Sequence, residues 1–302
     1  ATLGTLVPKD GKTLVVINGA YGDRMTEMLD IMGRDYETYK TAEDVPSDPA
    51  EIDAILSKNL TITHVAAVYC ETTSGILNPI AEIAAVVARQ RRSLLIDAMS
   101  AFGALPLKAA DVTFDALMAS SNKCLEGVPG MGFAIVRKKA LEACAGNSHS
   151  LSLDLHAQWV GLEKGGQWRF TPPTQVIVAL DKALDQFAGN GGTDGRFSRY
   201  TENCRILVDG MREMGFKTLL PDELQAPIIV TFHSPADAAF KFETFYDLIA
   251  KQGFLIYPGK LTVAESFRIG CIGNIGKAEM HGALGAVRSA IEKMGVTNLS
   301  PA

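Results

Sequence analysis

Two apolar runs in this 302-residue chain each lead into a charged residue. Ser93-Leu94-Leu95-Ile96 runs into Asp97 and then Ala98-Met99-Ser100, while Asp115-Ala116-Leu117-Met118-Ala119 runs through Ser120-Ser121-Asn122 into Lys123. A carboxylate ending a buried strand must find a cation or a hydrogen-bond donor, because burying it unpaired is costly. Taken alone, Asp97 also fits a helix cap or a turn, and a lone lysine behind a strand is ordinarily a solvated loop residue. Lys123, however, is enclosed by Ser120, Ser121, Asn122 and Cys124, and then by the turn Gly127-Val128-Pro129-Gly130. Aspartate and lysine at two strand ends suit one chemistry in particular. A neutral lysine amine forms a Schiff base, and a carboxylate keeps a pyridine nitrogen protonated; pyridoxal 5'-phosphate needs both.

Two further segments fit the same cofactor. Tyr69-Cys70-Glu71-Thr72-Thr73-Ser74-Gly75 sets hydroxyls behind another apolar run, where they reach a ring oxygen or simply build a turn. Asn18-Gly19-Ala20-Tyr21-Gly22 ends the first apolar run with an aromatic ring, either packed in a turn or stacked on a planar cofactor. Glycine-rich stretches do not point to a nucleotide. Gly127 to Gly132 precedes a strand, and Gly270 to Gly276 lacks both the dinucleotide spacing and the Lys-Ser/Thr that closes a phosphate loop.

These residues require a sheet whose strand ends share one edge. Short apolar runs at 13–17, 64–69, 93–96, 116–119 and 132–136 read as strands covered on both faces. Helical patterns lie between them at 21–33, 50–57 and 79–91, the last opening on Pro79. The alternation predicts an α/β fold with a mostly parallel central sheet, whose ligands bind at the carboxyl ends of the strands. Four glycines in 189–195 interrupt a helix running from about Thr174, and a second helical stripe follows from Arg196 to Met214. A strand at 227–232, a helix at 236–252, strands at 254–257 and 267–269, and a helix at 277–294 complete the chain. This order predicts a large domain over 1–200 and a smaller C-terminal α+β domain over 201–302.

A net charge of -5 leaves no general basic surface for nucleic acid, so none is expected as a partner. No apolar run approaches the ~18 residues of a membrane helix. Five scattered cysteines without a CxxC pair, and no histidine cluster, argue against a disulfide framework or a metal site and favour a reducing, cytoplasmic location. Glu126, His149, His156 and Arg169 are given no catalytic role, since solvated or structural readings suit each.

Taken together, Asn18-Gly-Ala-Tyr21-Gly-Asp-Arg24, Glu71-Thr-Thr-Ser-Gly75, Asp97-Ala-Met-Ser100, Ser120-Ser-Asn-Lys123-Cys-Leu-Glu-Gly-Val-Pro-Gly130, Trp168-Arg-Phe-Thr-Pro-Pro-Thr174 and Phe267-Arg268-Ile-Gly270 resemble the small-subgroup, class V aminotransferases of fold type I. Within that family the branch acting on 2-aminoethylphosphonate and pyruvate is the most similar, over essentially the whole chain. The resemblance implies a pyridoxal 5'-phosphate enzyme with Lys123 as the Schiff-base lysine and Asp97 paired with the pyridine nitrogen. It further implies Tyr21 stacked on the ring, Thr72 near the 3-oxygen, and Asn122 by the phosphate. Thr171 would reach the phosphate in a partner subunit of a homodimer, and Arg268 would grip the acidic end of the substrate. An arginine suits that task because its fixed fork of donors matches carboxylate or phosphonate oxygens. Relatives begin upstream of Ala1 with a turn that cradles the phosphate, so an N-terminally truncated chain is expected. Two other readings stay open: an alanine:glyoxylate or serine:pyruvate aminotransferase using the same residues, and a non-catalytic remnant or dimerisation fragment.

Overall fold

The computed structural model describes residues 1–301. Its strands, in chain order, are β1 (Lys12–Ile17), β2 (Asp35–Lys40), β3 (Ile62–Val68), β4 (Cys70–Glu71), β5 (Ile76–Leu77), β6 (Ser93–Asp97), β7 (Ala116–Ser120), β8 (Gly132–Val136), β9 (Ile229–His233), β10 (Tyr257–Pro258) and β11 (Ser266–Gly270). The helices are α1 (Thr2–Leu6), α2 (Ala20–Met32), α3 (Pro49–Lys58), α4 (Ile80–Arg89), α5 (Lys138–Ala143), α6 (Leu155–Gly165), α7 (Thr174–Gly189), α8 (Gly192–Met214), α9 (Phe242–Ala250) and α10 (Lys277–Met294).

Six strands form the central sheet in the order β2-β1-β3-β6-β7-β8, parallel throughout except for β8, which is antiparallel to β7. The apolar runs are continuous because both faces are covered. Leu14 and Val16 of β1 enter a core with Ile52 and Leu56 of α3 and Ile83 and Val87 of α4. Val15 and Ile17 point the other way, into a core with Leu3 and Leu6 of α1 and Met25 and Leu29 of α2. Register then aligns the strand ends: Val68 pairs with Asp97, and Asp97 with Met118. The segments behind β1, β3, β6 and β7 therefore leave the sheet along one edge, which carries Tyr21, Thr72, Asp97 and Lys123.

A second, antiparallel sheet of order β10-β11-β9 packs with α9, α10 and the later part of α8. Its centre is aromatic, with the Phe267 ring 5.2 Å from Phe245 and 5.6 Å from both Phe216 and Phe232. Helix α8 belongs to both halves, since Tyr200 lies in the core of the large sheet whereas Cys204, Leu207 and Met211 lie in the phenylalanine core.

Several expected elements differ. Strand β2, Asp-Tyr-Glu-Thr-Tyr-Lys, has no apolar run to announce it because it is a sheet edge with a largely solvated surface. The helix expected from 236 begins only at Phe242, because the Asp237 carboxylate accepts hydrogen bonds from the Ala239, Thr297 and Asn298 amides and holds the preceding residues in a turn. The strand expected at 254–257 is confined to Tyr257–Pro258. Pro79 stands at the N-cap rather than in the first turn of α4. The glycine run breaks the helix only at Asn190-Gly191, where Gly191 takes the left-handed conformation at φ 85°, and α8 restarts at Gly192. Helix α6 rests on an Asp154 cap that accepts from the Ala157 amide at 2.9 Å.

Candidate active site

Behind β1, the chain passes through Gly19 into α2, whose N-terminus is capped from fifty residues away. The Thr73 hydroxyl accepts from the Ala20 amide at 2.9 Å, and Glu71 Oε2 accepts from the Tyr21 amide at 3.1 Å. Glu71 is fully buried, and its Oε1 accepts from the Thr73 amide at 2.9 Å and hydroxyl at 2.7 Å. Burial raises its pKa above the ordinary carboxylate value, opposed by hydrogen bonds from Thr73, Tyr21 and Gly22. Gly19 makes room for it, because a Cβ there would stand 2.5 Å from Glu71 Cδ.

Tyr21 is thereby fixed at the edge of the sheet. The Arg24 guanidinium and the Lys260 ammonium each lie 5.1 Å from its ring centroid, and Lys260 Nζ is 3.4 Å from its hydroxyl as donor. Burial opposes ionisation of the phenol. A hydrogen bond with Thr72 and the charges of Lys260 and Lys123 outweigh that, so the Tyr21 pKa lies below its usual value.

Asp97 closes β6 and turns the chain by accepting the Met99 amide on Oδ1 at 2.9 Å. Among the described residues no protein group donates a hydrogen bond to its other oxygen. Burial raises its pKa, opposed by the Met99 hydrogen bond and then by the Arg24 charge. One strand further on, Lys123 is exposed in the turn behind β7. Three contacts hold that turn: the Gly127 amide donates to the Ser121 carbonyl at 2.8 Å, the Ser121 hydroxyl to the Val128 carbonyl at 2.6 Å, and the Cys124 thiol to the Ser100 carbonyl at 3.2 Å. The last contact joins the Lys123 turn to the Asp97 turn, and burial pushes the Cys124 thiol up to about 12, leaving it unreactive.

Glu126 locks the turn from behind. It takes the left-handed backbone conformation at φ 59°, uncommon for a residue other than glycine. Its Oε2 lies 2.6 Å from Arg196 Nη1, and its Oε1 accepts from the Tyr200 hydroxyl at 2.6 Å and from Arg199.

The second sheet contributes Arg268, only 5% exposed on β11. It donates from Nε to the Pro258 carbonyl at 3.1 Å and from Nη1 to the Thr72 carbonyl at 2.6 Å, leaving Nη2 with no protein acceptor among the described residues. Burial lowers its pKa, and Tyr21, Tyr257 and Glu71 act in the opposite sense.

The structure thus sets Thr72 and Arg268 beside Tyr21, whose phenol also feels the Lys123 charge, while the Arg24 charge acts on Asp97 and its guanidinium lies over the Tyr21 ring. Asn122 is exposed beside Lys123. Thr171 stands apart, lining an open cavity of about 800 Å³ with Trp168, Arg169 and Phe170, and no hydrogen bond among the described residues ties it to the others. Glu71, Arg24 and Lys260 were given no role of their own from sequence, and Glu126 was named there only as a solvated or structural residue. Arg24 had a signal in its spacing of three from Tyr21 on one helix face; Lys260 is 239 residues from Tyr21 and had none.

The model of the aminotransferase class-V family matches residues 27–259. The chain belongs to the class V aminotransferases. A 2-aminoethylphosphonate–pyruvate transaminase of Pseudomonas putida (strain KT2440) is 52% identical over 299 residues, 99% of this chain and 81% of that protein. One of the same name from Pseudomonas aeruginosa (strain UCBPP-PA14) is 50% identical with the same coverage. Among solved structures, pyridoxamine-pyruvate aminotransferase from Mesorhizobium loti superposes with a TM-score of 0.89 at 22% identity, covering 98% of this chain and 77% of that one. Ureidoglycine-glyoxylate aminotransferase from Bacillus subtilis gives 0.88 at 20% identity, with the same coverage. The fold is that of the type I pyridoxal phosphate enzymes, and as a class V aminotransferase the chain uses pyridoxal 5'-phosphate. The residues present fit that group: Asp97 keeps an oxygen free of protein donors at a strand end, and Lys123 offers a primary amine one strand away.

Proposed function

We propose that this chain transfers the amino group of 2-aminoethylphosphonate to pyruvate, giving phosphonoacetaldehyde and L-alanine. The observation that carries this reading is 50–52% identity, over 99% of the chain, to proteins bearing that activity in their names. Pyridoxal phosphate, when bound, supplies an electron-accepting ring that makes the proton beside a substrate nitrogen removable. The protein supplies the rest. Asp97 holds a proton on the ring nitrogen, and its partly buried carboxylate, on which Arg24 is the one positive charge acting among the described residues, gains from a cation placed against it. Lys123 Nζ takes the proton from the substrate carbon that bears the amino group, a role that suits an unencumbered primary amine on an ordered turn. Thr72 and Tyr21 hold the cofactor's ring in register, with Tyr21 in turn fixed by Glu71. Asn122 serves the phosphate. Arg268 receives the substrate's acidic end on Nη2, its guanidinium already aimed by the Pro258 and Thr72 carbonyls.

The same reading assigns residues 1–200 to a cofactor domain and 201–302 to a smaller domain that brings Arg268. It makes the working unit a homodimer with the site at the subunit interface, Thr171 serving the partner's phosphate. Support comes from a run of exposed apolar side chains, Leu151, Leu153, Trp168, Phe170 and Val178, near Thr171 in the chain. A cytoplasmic location agrees with five free cysteines; no helix among the described residues is long and apolar enough to cross a membrane. The test is a comparison of amino donors and acceptors by the loaded enzyme. 2-Aminoethylphosphonate with pyruvate should exceed L-serine with pyruvate and L-alanine with glyoxylate by at least tenfold in kcat/KM. Preference for either of the latter pairs would replace the reading with that of its close alternatives.

A further inference from the structure

Lys260 stands in the cleft without a task in the mechanism above. It lies on the segment between β10 and β11, which leaves the small sheet and returns to it. The Gly259 amide donates to the Ser266 carbonyl at 2.9 Å to close this loop, and a Cβ at Gly259 would come within 2.3 Å of Ser266 Oγ. Two contacts pin the loop over the large sheet. The Thr262 amide donates to Glu43 Oε2 at 3.1 Å, and Lys260 Nζ reaches the Tyr21 hydroxyl at 3.4 Å. Arg268 Nε holds the Pro258 carbonyl two residues before Lys260, so the guanidinium also positions the backbone that carries the ammonium.

Charge matching then separates two kinds of substrate. A carboxylate carries one negative charge, which the single guanidinium of Arg268 balances. A phosphonate carries up to two charges and three acceptor oxygens, while two of the five Arg268 N–H groups are already given to backbone carbonyls. Lys260 has three donors, of which the Tyr21 hydroxyl takes one. Lys260 reaches the Tyr21 hydroxyl, and Arg268 holds both the Thr72 carbonyl on the Tyr21 side and the Pro258 carbonyl on the Lys260 segment, so the two cations border one stretch of the site.

We infer that Lys260 is a specificity-determining residue that supplies the second positive charge for a dianionic phosphonate beside Arg268, favouring phosphonate over carboxylate ligands. This rests on 2-aminoethylphosphonate being the donor. An ammonium at an exposed position contributes to a charged hydrogen bond on the scale of a tenfold change in affinity, less at high salt. Lys260→Met in the enzyme loaded with pyridoxal phosphate should raise KM for 2-aminoethylphosphonate about tenfold. KM for L-alanine in the reverse direction should change less than threefold, and Lys260→Arg should restore the difference. Calorimetric binding of ethylphosphonate and propanoate, neither of which reacts, gives a readout independent of turnover. The wild type should prefer ethylphosphonate above its second ionisation, and Lys260→Met should lose about tenfold of that preference. Equal changes for phosphonate and carboxylate, or none for either, would overturn the assignment. A wild-type enzyme inactive on 2-aminoethylphosphonate would instead refute the proposed function, and the ethylphosphonate titration would still decide the role of Lys260.

Discussion

The carboxylate of Glu126 is the part of the Lys123 turn whose removal should cost most. Arg196, its partner at 2.6 Å, is 1% exposed, and Glu126 itself is 12% exposed. Among the described residues no other carboxylate forms an ion pair with Arg196. Replacing Glu126 with alanine therefore strands a buried guanidinium, removes the acceptor of the Tyr200 hydroxyl and frees Arg199. Breaking a buried pair from one side costs about 3–5 kcal/mol, a large share of the roughly 5–15 kcal/mol that holds a typical domain. Urea unfolding followed by circular dichroism should show a loss of that size for Glu126→Ala. Glu126→Gln, which keeps an acceptor for Tyr200, should lose less. The double variant Glu126→Met/Arg196→Leu, with no stranded charge, should be more stable than Glu126→Ala. A loss below about 1 kcal/mol for Glu126→Ala would refute the argument, because it would mean that Arg196 is solvated after all.

Asp97→Asn should weaken pyridoxal phosphate binding at least tenfold, read by fluorescence titration of the apo-protein, because an amide cannot balance a protonated ring nitrogen; unchanged affinity would remove Asp97 from the site. His64, buried beside Asp115, has its pKa lowered by burial to about 4 while the Asp115 charge opposes. Its neutral ring thus favours the fold above the ordinary value of 6.5, and this contribution is lost as pH falls through 6.5 towards 4. The total is about 3 kcal/mol at 1.36 kcal/mol for each tenfold in proton affinity. His64→Gln should flatten thermal stability over that window in differential scanning calorimetry. Gly19→Ala should cost about 1–3 kcal/mol, because its methyl group collides with Glu71, and should lower the Tyr21 fluorescence change on cofactor binding. The proposed homodimer predicts that the wild type sediments as a dimer and that Trp168→Asp shifts it towards monomer; a monomeric wild type would refute that part of the reading.

What could be read from the sequence was local. Runs such as Lys12–Ile17 and Ser93–Asp97 announce themselves because both faces are buried; Asp97 stands out because it follows such a run directly, and Lys123 because it follows one across a short polar turn. The last helix was legible to the residue, Lys277 to Met294, where the Glu279 carboxylate accepts the Gly276 amide at 2.8 Å and Gly295 closes the far end in the left-handed conformation. Illegible features depend on distant partners. Glu71 looks like one more polar residue in a turn until α2 is seen to rest its first amides on it. Lys260 reaches Tyr21 only because one sheet folds over the edge of another. Strand β2 lacked any pattern, since an edge strand needs only part of its surface to be apolar.

The central claim is that the amino group passes from 2-aminoethylphosphonate to pyruvate, with Lys123 moving the proton at the substrate carbon. Incubating the loaded enzyme with ¹⁵N-labelled 2-aminoethylphosphonate and unlabelled pyruvate, and following the label by mass spectrometry, tests it directly. The account predicts ¹⁵N-alanine in step with phosphonoacetaldehyde for the wild type and a loss of at least a thousandfold in rate for Lys123→Ala. Unlabelled alanine, no alanine, or near-normal transfer by Lys123→Ala would contradict it.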